Sequence, residues 1–125
     1  MPRKKKILIV DDENGFNCVM RLTLEFMGDY EVITENHPTQ ALQTALKFIP
    51  DLIFLDVVMP DSDGTDVYTQ LRGNVRLKNT PVIFLTATVT KEEVDEQGGM
   101  IGGYPFLAKF GSFNELVNCI EKYVQ

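Results

Sequence analysis

Three short runs of apolar residues stand out along the chain, at positions 7–10, 52–55 and 82–85. An uninterrupted apolar run of this length, bounded by turn residues, is typical of a strand buried on both faces of a sheet. Less continuous strand patterns cover 30–34 and 104–108, and the proline in the second of these suits a sheet edge. The pattern therefore predicts five strands, three central and two at the edges.

After four of the strands, apolar residues recur every three or four positions, which predicts an amphipathic helix in each case. After the fourth strand, a mostly charged helix is predicted, ending at Gly98-Gly99. The predicted helices cover about 16–27, 38–49, 65–72, 91–97 and 113–124. Ile49 and Phe113 are assigned to the buried stripes of their helices, and the polar segment 73–80 is assigned to a loop. Thr90 and Ser112 each precede a glutamate by three residues, which is a capping-box pattern for the start of a helix.

The regular alternation of strand and helix predicts an α/β fold with a parallel sheet, because right-handed crossovers place helices on both faces. With the two weaker strands at the edges, the expected architecture is a single doubly wound (βα)5 domain with sheet order 2-1-3-4-5. This domain is expected to cover residues 1–125, with no output domain in this chain.

Polar side chains follow four of the five predicted strands. Asp11 and Asp12 follow the first strand, Asp56 the third, Thr86 the fourth and Lys109 the fifth. Parallel strands end at a common rim, and the 2-1-3-4-5 order has its switch point between strands one and three. The five side chains are therefore expected to lie together at this rim.

Clustered carboxylates repel one another and are stable only beside a cation. Oxygen ligands without histidine or cysteine suit a hard ion, which here means Mg²⁺, with Mn²⁺ as the alternative. A carboxylate can also act as a nucleophile and form an aspartyl phosphate, while a lysine and a threonine hydroxyl bind the phosphoryl oxygens. The rim is therefore predicted to support metal-assisted phosphoryl transfer onto Asp56.

Four segments of the chain carry a family resemblance. The stretches Ile9–Glu13, Leu55–Pro60, Leu85–Ala87 and Phe106–Lys109 resemble the motifs of bacterial two-component response-regulator receiver domains. Each motif is weak alone, but all four occur in the family's order and spacing, and the resemblance covers essentially the whole chain. It implies a flavodoxin-like fold similar to that of chemotaxis receivers, and a phospho-accepting signalling switch rather than an enzyme.

The resemblance implies a phosphoryl acceptor and a metal site. Asp56 would take the phosphoryl group from a sensor histidine kinase or a histidine phosphotransfer protein. Asp12, with Asp11 alongside, would bind Mg²⁺ together with Asp56 and the backbone carbonyl of Val58.

The resemblance also implies a switch. Thr86 would contact a phosphoryl oxygen, Lys109 would pair with the phosphoryl charge, and Phe106 would be the aromatic switch residue. The face built from the fourth helix, the fifth strand and the fifth helix, within residues 86–125, would contact a downstream target protein or output domain.

One position departs from the family pattern. Receivers usually have a proline after the switch lysine, in a cis peptide, whereas Lys109 is followed by Phe110. A cis bond without proline costs roughly 3 kcal/mol, so cis and trans both stay open here. Val58 offers no hydrogen bond to an attacking water, which predicts slow autodephosphorylation.

Two alternative functions stay open. An aspartate-based phosphohydrolase would need an acid two residues after Asp56, where Val58 stands, and space for a cap domain. A receiver-like interaction scaffold that is never phosphorylated is disfavoured by the intact aspartates, threonine and lysine, although the missing proline keeps this alternative open.

Charge and composition narrow the setting. The net charge of −6 argues against direct binding of nucleic acid, and no apolar run is long enough to span a membrane. No secretory signal is visible, so a cytoplasmic protein with free thiols at Cys18 and Cys119 is expected. The basic run Arg3–Lys6 is predicted to be a solvated lead-in, and His37 a solvated loop residue.

Overall fold

The computed structural model describes residues 4–59, 62–87, 100–101, 104–109 and 112–124. Its main strands and helices are β1 (Lys5–Val10), α1 (Asn14–Met27), β2 (Tyr30–Glu35), α2 (Ala41–Phe48), β3 (Leu52–Asp56), α3 (Gly64–Arg72), β4 (Val82–Thr86), β5 (Tyr104–Ala108) and α4 (Phe113–Tyr123). A 3-10 turn at Pro38–Gln40 leads into α2. The helix predicted after Thr90 lies outside the described residues.

The five strands pair in parallel in the order β2-β1-β3-β4-β5, which confirms the predicted α/β fold. Successive residues of a strand point to opposite faces of the sheet. Leu8 of β1 therefore packs in the core beneath α2 and α3, while its neighbour Ile7 packs in a second core beneath α1 and α4. Both faces are covered, which is why the runs 7–10, 52–55 and 82–85 of the central strands are apolar at every position.

Two short antiparallel pairs were not predicted. Val58–Met59 pairs with Ser62–Asp63 within the segment after β3 that was expected to be a loop. Met100–Ile101 pairs with the start of β5 and so adds a two-residue strand outside it. The fifth parallel strand is therefore flanked at its beginning, rather than being a bare edge along its whole length.

Ile49 does not belong to the buried stripe of α2, and this prediction was wrong. The helix ends at Phe48, and Ile49 takes a left-handed conformation with φ of 50° while its N–H bonds to the Ala45 carbonyl at 2.8 Å. The following Pro50 disfavours the right-handed helical region for the residue before it. The side chain of Ile49 is therefore turned to the surface.

The segment 73–80 forms turns, as its polar composition predicts, but it also contributes Leu77 to the core beneath α2 and α3. The guanidinium of Arg72 donates hydrogen bonds to the carbonyls of Leu77 and Thr80, at 3.3 and 2.7 Å. These bonds hold the turn against the sheet. The two apolar residues of this polar segment, Val75 and Leu77, form no periodic pattern, so the sequence did not indicate which of them would be buried.

Helix ends follow their sequence signals better than helix faces do. The Gly28 N–H bonds to the Leu24 carbonyl at the end of α1, and Ser112 Oγ accepts the Glu115 N–H at 3.3 Å at the start of α4. Phe113, predicted to be buried, lies partly exposed at the first position of α4.

The basic lead-in prediction was wrong for Lys5 and Lys6, because β1 begins at Lys5 and both side chains are partly buried. Cys18 and Cys119 are free thiols as predicted, and burial raises the pKa of Cys119 to about 11. His37 is exposed, as predicted for a solvated loop residue.

Candidate functional site

The carboxyl rim of the sheet is assembled by the strand ladders. The Asp11 N–H donates to the Glu35 carbonyl at 3.1 Å, which continues the β1–β2 pairing by one residue. The Lys109 N–H donates to the Thr86 carbonyl at 2.8 Å and so continues the β4–β5 pairing in the same way. Asp56 is the last residue of β3. Each of these polar residues thus lies at the carboxyl end of an apolar strand.

Three carboxylates meet at this rim. Oxygens of Asp11, Asp12 and Asp56 all lie within 4.8 Å of one another. Asp11 and Asp56 are buried, and Asp12 is partly exposed. Two unit charges at that distance repel by roughly 3.5 kcal/mol at an effective dielectric constant of about 20. An all-oxygen donor set of this kind fits a hard divalent cation.

Lys109 brings an ammonium into the same cluster. Its side chain is only 2% exposed, and its Nζ lies 2.8 Å from Asp11 Oδ2 and 3.8 Å from Asp56 Oδ2. Glu13 Oε1 lies closer still, at 2.5 Å, and the ring centroid of Phe16 is 4.7 Å from Nζ. The ammonium therefore donates a hydrogen bond to Glu13 and forms an ion pair with Asp11, while the Asp56 oxygen lies just beyond hydrogen-bonding distance.

Burial and pairing act in opposite directions on these ionisable groups. Burial favours a neutral Lys109, but the contacts of its ammonium with the carboxylates of Asp11 and Glu13 outweigh burial, so the pKa of Lys109 lies above its ordinary value. For Asp11, burial outweighs the contact with Lys109, and the pKa of Asp11 is raised. The two directions agree physically, because one ammonium is shared among several carboxylates and cannot fully compensate the most buried one.

A response regulator receiver domain model matches residues 7–121 of this sequence. The chain belongs to the response regulator receiver domain family. This match agrees with the resemblance that the sequence motifs indicated. No helix among the described residues is long and apolar enough to cross a membrane.

Relatives of this receiver domain are longer proteins. The alkaline phosphatase synthesis transcriptional regulatory protein PhoP of Bacillus subtilis is 40% identical over 106 residues, which cover 84% of this chain and 42% of PhoP. The nisin biosynthesis regulatory protein NisR of Lactococcus lactis is 34% identical over 120 residues, which cover 96% of this chain and 50% of NisR. The chain therefore spans half or less of these relatives.

Solved receiver structures share the fold over nearly the whole chain. The Vibrio cholerae chemotaxis protein CheY4 has a TM-score of 0.80 and 29% identity, covering 96% of this chain and 98% of that one. The receiver domain of the sensor histidine kinase PA1611 from Pseudomonas aeruginosa has a TM-score of 0.79 and 26% identity, covering 97% and 98%. The PA1611 structure has a magnesium ion coordinated in its active site cleft.

The predicted site residues of the receiver domain fall into two groups. Asp11, Asp12, Asp56 and Lys109 lie together, and Thr86 is buried at the neighbouring end of β4. The remaining predictions concern atoms near the rim of which less is described. The backbone of Val58 pairs with that of Asp63, whereas Phe110 and its peptide bond to Lys109 lie outside the described residues.

Phe106 lies on β5 below the rim. It is partly buried and stacks on Phe84 of β4 with ring centroids 5.1 Å apart, and Phe84 in turn contacts the Tyr68 ring of α3 at 5.4 Å. The side chain thus lies on the α3 side of the sheet, two strands away from β3, which carries Asp56. Phe106 is opposite Phe84 in the β4–β5 register, and Thr86 lies two residues after Phe84 on β4.

Sequence reasoning missed Glu13 and Asn17. Asn17 is buried, and its Nδ2 donates to the Asp11 carbonyl at 2.7 Å while its own N–H bonds to the Glu13 carbonyl at 3.0 Å. The first turn of α1 therefore holds the acidic loop at both ends. A signal existed for Glu13, the third acid in a row after β1, but nothing in the sequence pointed to a buried asparagine six residues after Asp11.

Proposed function

We propose that this receiver domain is a phospho-accepting switch of a two-component phosphorelay, with Asp56 as the acceptor. The donor would be the phosphohistidine of a sensor histidine kinase or of a histidine phosphotransfer protein. One observation carries the proposal: three carboxylates within 4.8 Å of one another share a buried rim with the ammonium of Lys109. Membership of the family supports it.

The donor set fits a magnesium ion. Asp12, Asp56 and the backbone carbonyl of Val58 would bind Mg²⁺, or Mn²⁺ in its place, with Asp11 alongside. These are oxygen ligands only, which both ions accept. The bound ion would offset carboxylate and phosphoryl charge and withdraw electron density from the phosphorus.

Asp56, Lys109 and Thr86 each have a different role in the phosphoryl transfer. A carboxylate oxygen of Asp56 attacks phosphorus, and the new P–O bond forms as the P–N bond of phosphohistidine breaks, with the nitrogen retaining the electron pair. Lys109 contributes a positive charge close to the acceptor, 3.8 Å away in this state. The Thr86 hydroxyl would bind another phosphoryl oxygen. Self-catalysed hydrolysis would return Asp56 and inorganic phosphate, slowly, because Val58 cannot position the attacking water.

Phosphorylation would then change the surface. Phosphorylation would bring the charge at Asp56 to about −2 and add three acceptor oxygens. This charge and these oxygens would draw Thr86 and Lys109 toward the phosphoryl group. Movement of Thr86 would free space for Phe106 to turn away from its stack on Phe84. The affected surface, within residues 86–125, would contact a downstream protein. Unchanged amide resonances between 86 and 110 on adding beryllofluoride and Mg²⁺ would contradict this switch.

An apolar stripe on α1 supports contact with a protein donor. Val19, Leu22 and Phe26 follow helical spacing and are all exposed, Phe26 by 92%. Val19 also lines a cavity of about 390 Å³ whose wall includes Lys109. An apolar helix face of the phosphodonor protein fits this stripe, because docking there would bring its histidine beside the rim.

The stripe is tested with Phe26→Ser, and with Val75→Ser as a control at another exposed apolar position, 77% exposed after α3. Both variants are offered phosphoryl groups from a histidine phosphotransfer domain that labels the wild type, and from acetyl phosphate. We expect Phe26→Ser to lose transfer from the protein donor alone. Equal transfer to both variants would exclude the stripe as the docking surface.

The acceptor is tested by intact-protein mass after incubation with acetyl phosphate. The wild type should gain one phosphoryl group only when Mg²⁺ is present, and Asp56→Asn should gain none. Equal labelling of Asp56→Asn would assign the acceptor to another residue. Absence of any adduct, together with no binding of beryllofluoride, would favour a scaffold that is never phosphorylated.

A further inference from the structure

Glu13 lies in a different environment from the other acids of the rim. It is the residue before α1 and has extended backbone angles, so its side chain is free of the helix and turns toward the site. Its N–H donates to Asp11 Oδ1 at 2.9 Å, and its carbonyl accepts the Asn17 N–H at 3.0 Å. These two bonds fix the backbone and leave the side chain as the adjustable part.

The adjustable side chain holds the ammonium of Lys109. The separation of Lys109 Nζ from Glu13 Oε1 is 2.5 Å, the shortest of its three carboxylate contacts, and that from Asp56 Oδ2 is 3.8 Å, the longest. An ammonium that bonds tightly to Glu13 and Asp11 is displaced from the acceptor. A phosphoryl group on Asp56 must therefore compete for Lys109 with a bond that already exists.

Exposure decides which of the two bonds yields. The Asp11 side chain is fully buried, so leaving Lys109 would abandon its charge in the protein interior. The Glu13 side chain is 56% exposed and can exchange Lys109 for water at small cost. Glu13 is therefore the partner that can be released.

We propose that Glu13 is a further positioning residue of this site, which holds Lys109 away from Asp56 in the unphosphorylated protein and must release it when a phosphoryl group binds. The inference rests on the proposed function, since it assigns Lys109 to the phosphoryl group. It gives Glu13 a role opposite to that of the metal-binding acids: its carboxylate opposes the activated state.

The test compares Glu13→Gln with the wild type in titrations with beryllofluoride at fixed Mg²⁺. Glutamine keeps the shape of the side chain and removes its charge, so the competing ion pair is lost. Glu115→Gln is the matched control, because Glu115 lines the same cavity wall and its carboxylate lies 3.4 Å from Ser112 Oγ. Binding is followed through the amide resonances of Thr86 and Lys109, and thermal melts establish that each variant is folded.

We expect Glu13→Gln to bind beryllofluoride about two- to five-fold more tightly, which is the range for loss of one partly exposed ion pair. Glu115→Gln should bind like the wild type. Unchanged or weaker binding by Glu13→Gln would overturn the proposal, and so would equal tightening by Glu115→Gln, which would point to net charge alone. If the wild type itself neither binds beryllofluoride nor forms the acetyl phosphate adduct, the proposed function fails, and this inference fails with it.

Discussion

At the amino end of the sheet, Lys5 Nζ lies 2.8 Å from one carboxylate, that of Glu121, whereas at the carboxyl end Lys109 Nζ lies within 3.8 Å of three. The Lys5 pair is partly exposed, with 30% of the Lys5 and 58% of the Glu121 side chain accessible, whereas the Lys109 side chain is almost fully buried. Exposed one-to-one pairs stabilise a fold little, whereas buried like charges in excess of their partner destabilise it. The ion pair at the amino end therefore joins β1 to α4, whereas the carboxyl end gathers several carboxylates around one ammonium.

Hydrogen bonding reinforces the contrast. At the amino end, the Tyr30 hydroxyl also donates to Glu121 at 3.2 Å, so that single carboxylate is satisfied by two side chains from β1 and β2. At the carboxyl end, the buried Asp11 receives one ammonium that it shares with two other acids. The difference teaches that an imbalance of charge, rather than the mere presence of charge, marks the functional end of this sheet.

Replacing the lysine by methionine at each end should give the largest difference in the free energy of unfolding. Lys109→Met removes the ammonium from the buried cluster and should lower the free energy of unfolding by about 3 kcal/mol in metal-free buffer, because Asp11 is left without its cation. Lys5→Met should change the unfolding free energy far less, since its pair is exposed. Urea unfolding of both variants measures the difference. Equal losses would mean that the carboxyl end is no more strained than the amino end.

Hydrogen bonds donated by uncharged side chains should differ less between the two ends. Asn17→Ala leaves the Asp11 carbonyl without its 2.7 Å donor in a buried site, which should cost about 1–2 kcal/mol of unfolding free energy. Tyr30→Phe removes a 3.2 Å bond and should cost about 0.5 kcal/mol. Thermal and urea unfolding of this pair would sharpen the comparison. A larger loss for Tyr30→Phe would reverse it.

The smallest expected effect is a pH dependence at the amino end. Lys5, and then Tyr30, lower the pKa of Glu121 below its ordinary value of 4.5, so the unfolded state takes up a proton here before the folded state does. This contribution to stability is present above about pH 4.5 and is lost as the pH falls through the lowered pKa. The stability difference between the wild type and Glu121→Gln should therefore shrink on acidification. A difference that stays constant from pH 7 to pH 3 would contradict the sign.

Much of the fold could be predicted because its signals are local. Continuous apolar runs identified β1, β3 and β4, and strict strand–helix alternation fixed the parallel order. The rim residues could be predicted for the same reason, since a polar residue directly after a buried strand has only one end of the sheet to occupy. Asp56, at the end of β3, is the clearest case.

The remaining features depend on distances between segments that no local pattern encodes. Leu77 is buried because a turn folds back onto the sheet. Lys5 forms its ion pair with Glu121, which lies 116 positions away in the sequence. Glu13 could have been noticed as a third acid, but its contact with Lys109 depends on how α1 and β5 meet. The helical spacing of apolar residues in α1 did not predict that Val19, Leu22 and Phe26 are exposed, because periodicity does not reveal how much of a helix its neighbours cover.

The most direct measurement of the central claim is a Mg²⁺ titration of the wild type, Asp12→Asn and Glu121→Gln, followed by calorimetry and amide resonances. If the excess of carboxylates makes the carboxyl end a cation site, the wild type should bind one Mg²⁺ ion with shifts centred on Asp11, Asp12 and Asp56. Asp12→Asn should weaken binding at least about tenfold, and Glu121→Gln should leave it unchanged. Equal affinity in the wild type and Asp12→Asn would contradict the account.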